Sequence, residues 1–171
     1  MDSKNWYFEV NSYLRLLVEC YDITLLQACG IMSALSPNNK FEQNINSLEK
    51  FLIHKGNCKV STFNGQKEKA KQILFMVNPT EQGIKDILRG DKTMAFFENL
   101  YRPETSDAVT IDLWQLRWAL KVGVWKKDWG TLTTKRYKLV ADAIRIKAEK
   151  HNMLPHQFQA LTWTQIRGNQ Y

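Results

Sequence analysis

The spacing of the apolar residues constrains the fold of this chain more than any other feature. In the first segment they recur as Tyr7, Val10, Leu14, Leu17 and Val18. Such spacing places apolar side chains on one face of an α-helix, whereas a half-buried strand would alternate apolar and polar residues. Because no alternating stretch of useful length is present, we predict an all-α fold.

Caps and helix breakers divide this pattern into separate helices. We expect Asp22 to cap the second helix and Pro37, with the asparagines beyond it, to stop that helix. Residues 59–65 are predicted to be loop. The later helices are predicted at residues 41–52, 67–77, 80–88, 92–100, 113–122, 135–150 and 155–167, the last ending at Gly168.

Length and composition favour one domain over residues 1–171. The chain has 44% hydrophobic and 24% charged residues, enough for a real core and without a disorder signature. Repeats, low-complexity tracts and interdomain linkers are not evident. We therefore expect a single helical domain and a monomer.

The N-terminal sequence predicts neither secretion nor membrane insertion. Residues 1–5 do not form a basic segment followed by an apolar stretch, and polar residues and a glycine interrupt the apolar run from Ile23 to Leu35. We expect an intracellular protein, cytoplasmic or nucleoid-associated, with no membrane partner.

The cysteines and histidines do not form a metal-binding pattern. Cys20, Cys29 and Cys58 are odd in number and lack C-x-x-C spacing, and the three histidines are scattered. We interpret the cysteines as reduced, buried small hydrophobic residues. No metal and no cofactor is predicted.

Positive charge is concentrated in the last third of the chain. The net charge is +7; residues 1–112 carry 13 Lys and Arg against 14 Asp and Glu, whereas residues 113–171 carry 11 against 3. Such asymmetry is typical of a nucleic-acid-binding face, because basic groups release phosphate counterions. The alternative is an ordinary solvated basic helix face.

Two short segments place an amine and a carboxylate at helix N-termini. The first is ILRGDKTMAFF, residues 87–97, and the second is AVTIDLW, residues 108–114; Lys92 and Asp112 are 20 residues apart. The pattern predicts a helix ending at a glycine hairpin, a second helix opening on Lys92, a loop, and a third helix opening on Asp112.

At these segments the chain resembles the helix-hairpin-helix DNA glycosylases, the superfamily that includes endonuclease III. Further elements follow in the family's order: residues 22–36 with a polar turn through Asn44, residues 66–74, and a closing helix over residues 160–168. The chain is most similar to short members without the C-terminal cysteine cluster, and such chains also look similar to bacteriophage-encoded proteins. The resemblance implies a glycosylase-like helical fold and double-stranded DNA as partner.

The chain also departs from the family pattern. The family hairpin usually has two glycines separated by one residue, whereas here only Gly90 is present and the turn is shorter. Asp91 places a negative charge where a phosphate would approach. Trp114 stands where the family commonly has histidine.

Asp112 and Lys92 are the catalytic candidates. Cleavage of an N-glycosidic bond builds positive charge on the sugar, which an ionised Asp112 would stabilise. The simpler alternative for Asp112 is an N-cap. As a neutral amine, Lys92 would attack the sugar and lead to strand cleavage through a Schiff base; its alternatives are a phosphate contact or an exposed helix lysine. Without that nucleophile, Asp112 would direct water.

Several further residues are candidates for DNA contacts, each with an ordinary structural alternative. The hairpin would present backbone N–H groups to a phosphate, as in the resembled family, or would be a simple helix–helix turn. Asn38 or Asn39 would enter the gap left by a flipped base, or would only form a turn. Trp114 is the candidate base-pocket wall, whereas Trp118 is expected in the core. The predicted DNA-binding residues are Arg89, Gly90, Asp91, Thr93, Asn38, Asn39, Lys121, Lys126 and Lys127.

The predicted function is excision of a damaged or modified base from DNA, with or without strand cleavage at the abasic site. The first alternative is a non-catalytic DNA-binding protein of the same fold. The second is a helical protein-interaction domain whose charge is incidental.

Overall fold

The computed structural model describes residues 3–167, and all regular structure in that range is helical. The nine α-helices are α1 (Trp6–Cys20), α2 (Leu25–Leu35), α3 (Phe41–Ile53), α4 (Asn64–Leu74), α5 (Glu81–Leu88), α6 (Asp91–Tyr101), α7 (Leu113–Lys121), α8 (Thr134–Lys150) and α9 (Pro155–Arg167). Two short 3-10 helices span Ser3–Asn5 and Lys127–Trp129. The prediction of an all-α fold is confirmed for these residues.

Most predicted helices are found, with two corrections at their N-termini. Thr24, not Asp22, caps α2: its hydroxyl accepts the Gln27 N–H, and the Gln27 side chain accepts the Thr24 N–H. In this reciprocal pair each residue satisfies a backbone donor of the other, and Asp22 lies two residues before the N-cap. Helix α4 spans Asn64–Leu74, so it begins inside the predicted loop and also ends before the predicted Val77. The predicted stop at Gly168 lies outside the described residues.

The described chain divides into two compact units. The first comprises residues 3–10 and 98–167, and the second comprises Asn11–Phe97. Each unit contains its own buried apolar side chains. The single domain over residues 1–171 stays a prediction.

Helix α2 forms the centre of the second unit. It packs against α3, α4 and α5, and nine of its eleven residues are buried. A Cβ on Gly30 would lie 2.8 Å from Ile84 Cγ2 and 3.2 Å from Ile73 Cγ2. Glycine therefore permits the close approach of α2 to α4 and α5 at this position, and any larger residue would push them apart.

The core of the first unit forms around the packing of α9 on α7 and α8. Trp118 and Trp125 are both buried there, and the Trp118 and Phe158 rings meet edge to face with centroids 5.9 Å apart. The expectation that Trp118 belongs to the core is confirmed. The core residues are Val109, Ile111, Trp118, Ala119, Trp125, Val140, Ala141, Ile144, Ala148 and Phe158.

Between residues 3 and 167 no single helix is both long enough and apolar enough to cross a membrane. One bent pair, Ser3–Cys20 with Leu25–Leu35, has the length and composition to do so, on those two criteria only.

Candidate functional site

An extended, buried segment leads into the candidate carboxylate. Within it, Val109 and Ile111 are 1% and 2% exposed. The Tyr137 hydroxyl on α8 donates to the Val109 carbonyl at 2.7 Å and accepts the Ile111 N–H at 3.0 Å. The Thr110 N–H donates to Gln159 Oε1 on α9 at 2.8 Å. These bonds satisfy the backbone without a strand partner and fix the position of the next residue, Asp112.

Asp112 caps α7 and is held by three hydrogen bonds. Its Oδ1 accepts the backbone N–H groups of Trp114 at 2.9 Å and Gln115 at 3.0 Å, and its Oδ2 accepts the Trp163 indole N–H at 3.1 Å. The N-cap geometry predicted for Asp112 is confirmed. A carboxylate has about four acceptor positions, so about one on Oδ2 is left after these three bonds. The side chain is half-buried, and solvent reaches part of it.

Two tryptophans with stacked arginines accompany this carboxylate. The Arg117 guanidinium lies over the Trp114 ring on α7, with its central carbon 4.3 Å from the ring centroid. The Arg167 guanidinium lies over the Trp163 ring on α9 at 4.6 Å. Both indoles are half-buried. Such cation–π pairs hold long arginine side chains in defined positions.

Buried polar side chains form a hydrogen-bond network with the segment that leads to Asp112. Asn99 donates to the Thr110 hydroxyl at 3.2 Å, and Gln159 donates to the Tyr7 hydroxyl at 3.3 Å. Burial raises the pKa of Tyr7 above its ordinary value; hydrogen bonds from Thr110, Gln159 and Asn99 oppose the shift, and the charge of Asp112 adds to it. Tyr7 therefore stays a neutral hydroxyl at physiological pH.

Helices α7 and α9 are tied together by buried side chains beside the same site. Gln115, which is fully buried, donates to the Gln159 carbonyl at 2.9 Å. The Thr162 hydroxyl lies 3.2 Å from Gln115 Oε1 and 2.9 Å from the Gln159 carbonyl. Trp163, which bonds Asp112, is the next residue on α9. The network therefore fixes the orientation of the helix that supplies the indole donor.

A two-residue turn joins α5 to α6 at the predicted position, but the residue in the left-handed conformation is Arg89 rather than the glycine. Arg89 has a φ of 60°, and Gly90 is not among the residues with positive φ. The Arg89 N–H bonds the Lys85 carbonyl, and Lys69 Nζ donates to the Leu88 carbonyl at 2.7 Å. Together these contacts cap the end of α5.

Helix α6 begins directly after this turn and carries the second catalytic candidate. Lys92 is exposed, and in the described part of the chain its ammonium has no hydrogen bond or ion pair. Thr93 is 8% exposed, and its hydroxyl donates to the Gly90 carbonyl at 3.1 Å. Asp91 is half-buried in the first turn of the helix.

The asparagines predicted to enter DNA occupy the turn after α2. Asn38 is exposed with a φ of 61°. Asn39 instead caps α2, because its side-chain amide donates to the Leu35 carbonyl at 2.8 Å. The ordinary turn geometry is thus observed for both, and Asn38 is the one whose side chain is exposed.

The predicted basic contacts lie near the C-terminal end of α7. Lys121 is in the last turn of that helix, whereas Lys126 and Lys127 belong to the 3-10 helix region that follows. All three are exposed, as a phosphate contact requires.

The described residues contain no group of three or more His, Cys, Asp or Glu side chains placed to hold a metal ion. Among the cysteines, only Cys29 matches the buried prediction; Cys20 is exposed and Cys58 half-buried. Burial raises the pKa of the Cys29 thiol well above its ordinary value, which keeps it protonated and unreactive.

Trp163 and Arg167 are site residues that sequence reasoning did not single out. Their spacing of four on a predicted helix was visible and is typical of a side-chain pair on one face. Nothing in that spacing shows which carboxylate the indole bonds. The contact with Asp112 joins residues 51 positions apart and depends on the packing of α9 against α7.

Comparison with known proteins identifies a family without a known activity. No curated protein and no solved structure matches the chain. One family model matches residues 1–170. The chain therefore belongs to DUF7178, a family of unknown function.

Proposed function

We propose that this chain is a DNA glycosylase of the helix-hairpin-helix type, which excises a damaged or modified base from double-stranded DNA. The observation that carries the proposal is the Asp112 carboxylate, fixed at the N-terminus of α7 by two backbone N–H groups and the Trp163 indole. A carboxylate that is oriented before substrate arrives needs no reorganisation during the reaction.

The chemistry of base removal suits this carboxylate. As the bond between base and sugar breaks, its electron pair leaves with the base and the anomeric carbon becomes positive. Asp112 stabilises that charge through the acceptor position that remains on Oδ2. A water molecule then adds to the sugar carbon and loses a proton. Trp114, beside the carboxylate on α7, offers an aromatic surface for a base flipped out of the duplex.

Lys92 extends the proposal to strand cleavage at the abasic site. Its exposed amine lies at the start of α6, directly after the turn formed by Arg89 and Gly90. After losing a proton to solvent, the amine attacks the anomeric carbon as the base leaves, and opening of the sugar ring gives a Schiff base. Loss of a proton from the neighbouring sugar carbon then expels the 3′ phosphate and cleaves the strand. Two helices joined by a short turn, α5 and α6, are a feature that the proposed glycosylase-type fold requires. The start of α6 would offer backbone N–H groups to a phosphate.

A non-catalytic DNA-binding protein of the same fold is the second candidate. The specific observation in its favour is that Asp112 makes both backbone hydrogen bonds of an ordinary N-cap. The carboxylate would then serve only to stabilise α7, and the basic residues after position 112 would bind DNA without chemistry.

The test is a screen for base release on duplexes that carry different damaged and modified bases. Each reaction is split, and half is treated with alkali, which cleaves abasic sites whether or not the protein does. An Asp112→Asn preparation purified in parallel serves as the control for contaminating glycosylases. Release by the parent but not by the control supports the proposal.

The remaining outcomes separate the alternatives. Binding to duplex without release from any base favours the DNA-binding candidate. Absence of duplex binding favours a protein-interaction domain. Equal release by parent and control shows that the release does not depend on Asp112, whether it comes from a contaminating glycosylase or from another residue of this chain, and contradicts the proposal.

A further inference from the structure

The two arginines stacked beside Asp112 differ from other arginines of the first unit. Arg117 and Arg167 each lie over one indole, and in the part of the chain that the structure describes neither makes a hydrogen bond or an ion pair. By contrast, Arg145 donates to Asp142 Oδ1 at 2.8 Å and to the Asp107 carbonyl at 2.9 Å. Arg136 donates to the carbonyls of Trp129 and Thr131.

Stacking fixes a guanidinium without using its hydrogen-bond donors. The ring attracts the face of the group, whereas its N–H donors point outward in the guanidinium plane. These in-plane donors match two oxygens of a phosphate. Because the indole already restrains the side chain, less conformational entropy is lost on binding than for a free surface arginine.

We propose that Arg117 and Arg167 form a binding site for the phosphodiester backbone of DNA. Charge supports this assignment: residues 113–171 carry 11 Lys and Arg against 3 Asp and Glu. The two cations also offset the negative charge of Asp112, which would otherwise repel a phosphate. The inference rests on the DNA-binding part of the proposed function and not on its chemistry.

Trp163 connects this site to the carboxylate. Its ring face holds Arg167, and its N–H donates to Asp112 Oδ2 at 3.1 Å. A phosphate bound by Arg167 is therefore placed relative to Asp112 through one rigid side chain. The backbone contact and the candidate carboxylate share a support on α9.

The experiment measures duplex binding by fluorescence anisotropy across a salt series, with an undamaged duplex and one carrying a stable abasic-site analogue. The variants are Arg117→Gln, Arg167→Gln and the double variant. Arg145→Gln is the matched control, since it removes the same charge from a guanidinium already engaged within the protein. Circular dichroism checks that each variant is folded.

Each lost phosphate contact should flatten the slope of log affinity against log salt by about 0.9, and the double variant by about twice as much. Arg117→Lys and Arg167→Lys keep the charge and should recover most of the slope but less of the affinity. Arg145→Gln should change the slope little.

Two results would overturn the inference. If the parent binds with a steep salt dependence and the double variant has the same slope, or Arg145→Gln flattens it equally, the two arginines form no phosphate site, while the glycosylase proposal stands. If the parent binds neither duplex, both proposals fail.

Discussion

Asp112 and Lys92 lie in the first turns of two helices, yet the structure surrounds them differently. The carboxylate of Asp112 is held by donors from α7 and α9 and follows a segment that α8 and α9 fix in place. Lys92 is exposed, and in the described chain its ammonium has no such contact. Two residues at the starts of helices can therefore differ in how firmly the protein holds their side chains before a substrate binds.

This difference assigns different roles to the two residues within the proposed function. A restrained carboxylate can stabilise developing charge without moving, which is the larger contribution to catalysis. An exposed lysine must be positioned and desolvated by the substrate itself. We therefore expect base release to depend more on Asp112 than on Lys92.

The largest expected effect is that of Asp112→Asn on base release. Asparagine keeps an N-cap oxygen but loses the negative charge, so single-turnover release on the substrate found by the screen should fall about 100-fold or more. Trp163→Phe is the control, since it removes the indole N–H and leaves the carboxylate. Trp163→Phe should retain activity within about 10-fold, because one hydrogen bond contributes about 1 kcal/mol. Parental rates in Asp112→Asn would assign the residue to helix capping alone.

The next effect concerns Lys92 and strand cleavage. A Schiff base to the sugar should be reduced by borohydride to a permanent protein–DNA adduct, and Lys92→Ala should lose both the adduct and most strand cleavage while still releasing base. Lys85→Ala is unsuitable as a control because Lys85 is half-buried and pairs with Glu81 at 2.9 Å. The exposed Lys59 serves instead.

Two results would contradict this role for Lys92. Release of base without any trapped adduct would make Lys92 a positioning or phosphate-binding residue. An adduct that persists in Lys92→Ala would show that another amine is the nucleophile.

A smaller effect tests whether the lysines at and beyond the C-terminal end of α7, or the turn between α5 and α6, carry the salt dependence of DNA binding. Replacing Lys121, Lys126 and Lys127 with Gln should flatten the slope of log affinity against log salt by up to about 2.7, at about 0.9 per phosphate. Arg89→Gln at the hairpin should change it by about 0.9 at most. A triple variant of Lys135, Lys147 and Lys150, exposed on α8, is matched in charge. An equal slope for both triple variants would argue against a localised face.

The smallest effect concerns the pH dependence of the free energy of unfolding, through a histidine that contacts the loop before Asp112. His156 is buried against the rings of Tyr7 and Phe8, and its Nε2 lies 2.6 Å from the Pro103 carbonyl. Burial lowers the pKa of His156, although that carbonyl and the charge of Glu104 oppose the shift. The folded state therefore binds this proton less readily than the unfolded state.

The contribution of neutral His156 to the free energy of unfolding is therefore fully present above about pH 6.5. It is lost as pH falls below that value, by at most about 1.4 kcal/mol per pH unit. Urea unfolding across this range, compared with His156→Gln, measures the effect. Glutamine can still donate to the Pro103 carbonyl but does not titrate. Identical pH dependence in the two proteins would exclude His156 as the cause.

Much of the helical framework could be predicted from the sequence because helix formation depends on local spacing and caps. Helix α9 was predicted at its observed bounds, and Asp112 was predicted to lie at the start of α7. The error at α2 arose because a reciprocal contact decided the boundary. Thr24 caps α2 with the help of Gln27, and the Gln27 side chain also bonds the Ile73 and Leu74 carbonyls at the end of α4.

The candidate site was predictable only in part. The position of Asp112 before an apolar helix predicted its two backbone hydrogen bonds, because an N-cap bonds its own next residues. The hairpin was also predicted, but the backbone assigned the left-handed conformation to Arg89 rather than Gly90. At the N-cap Asp112 and at the turn after α5, the local pattern located the feature but did not give its detailed geometry.

An all-helical chain, a basic C-terminal third and an aspartate at the start of a helix could be predicted from the residues alone. These properties, like the spacing of each arginine from the indole on which it stacks, follow from composition and from interactions within a few residues. The bond from Trp163 to Asp112 could not be predicted in this way. It depends on how α9 packs against α7, because side chains 51 residues apart meet only once that packing is complete.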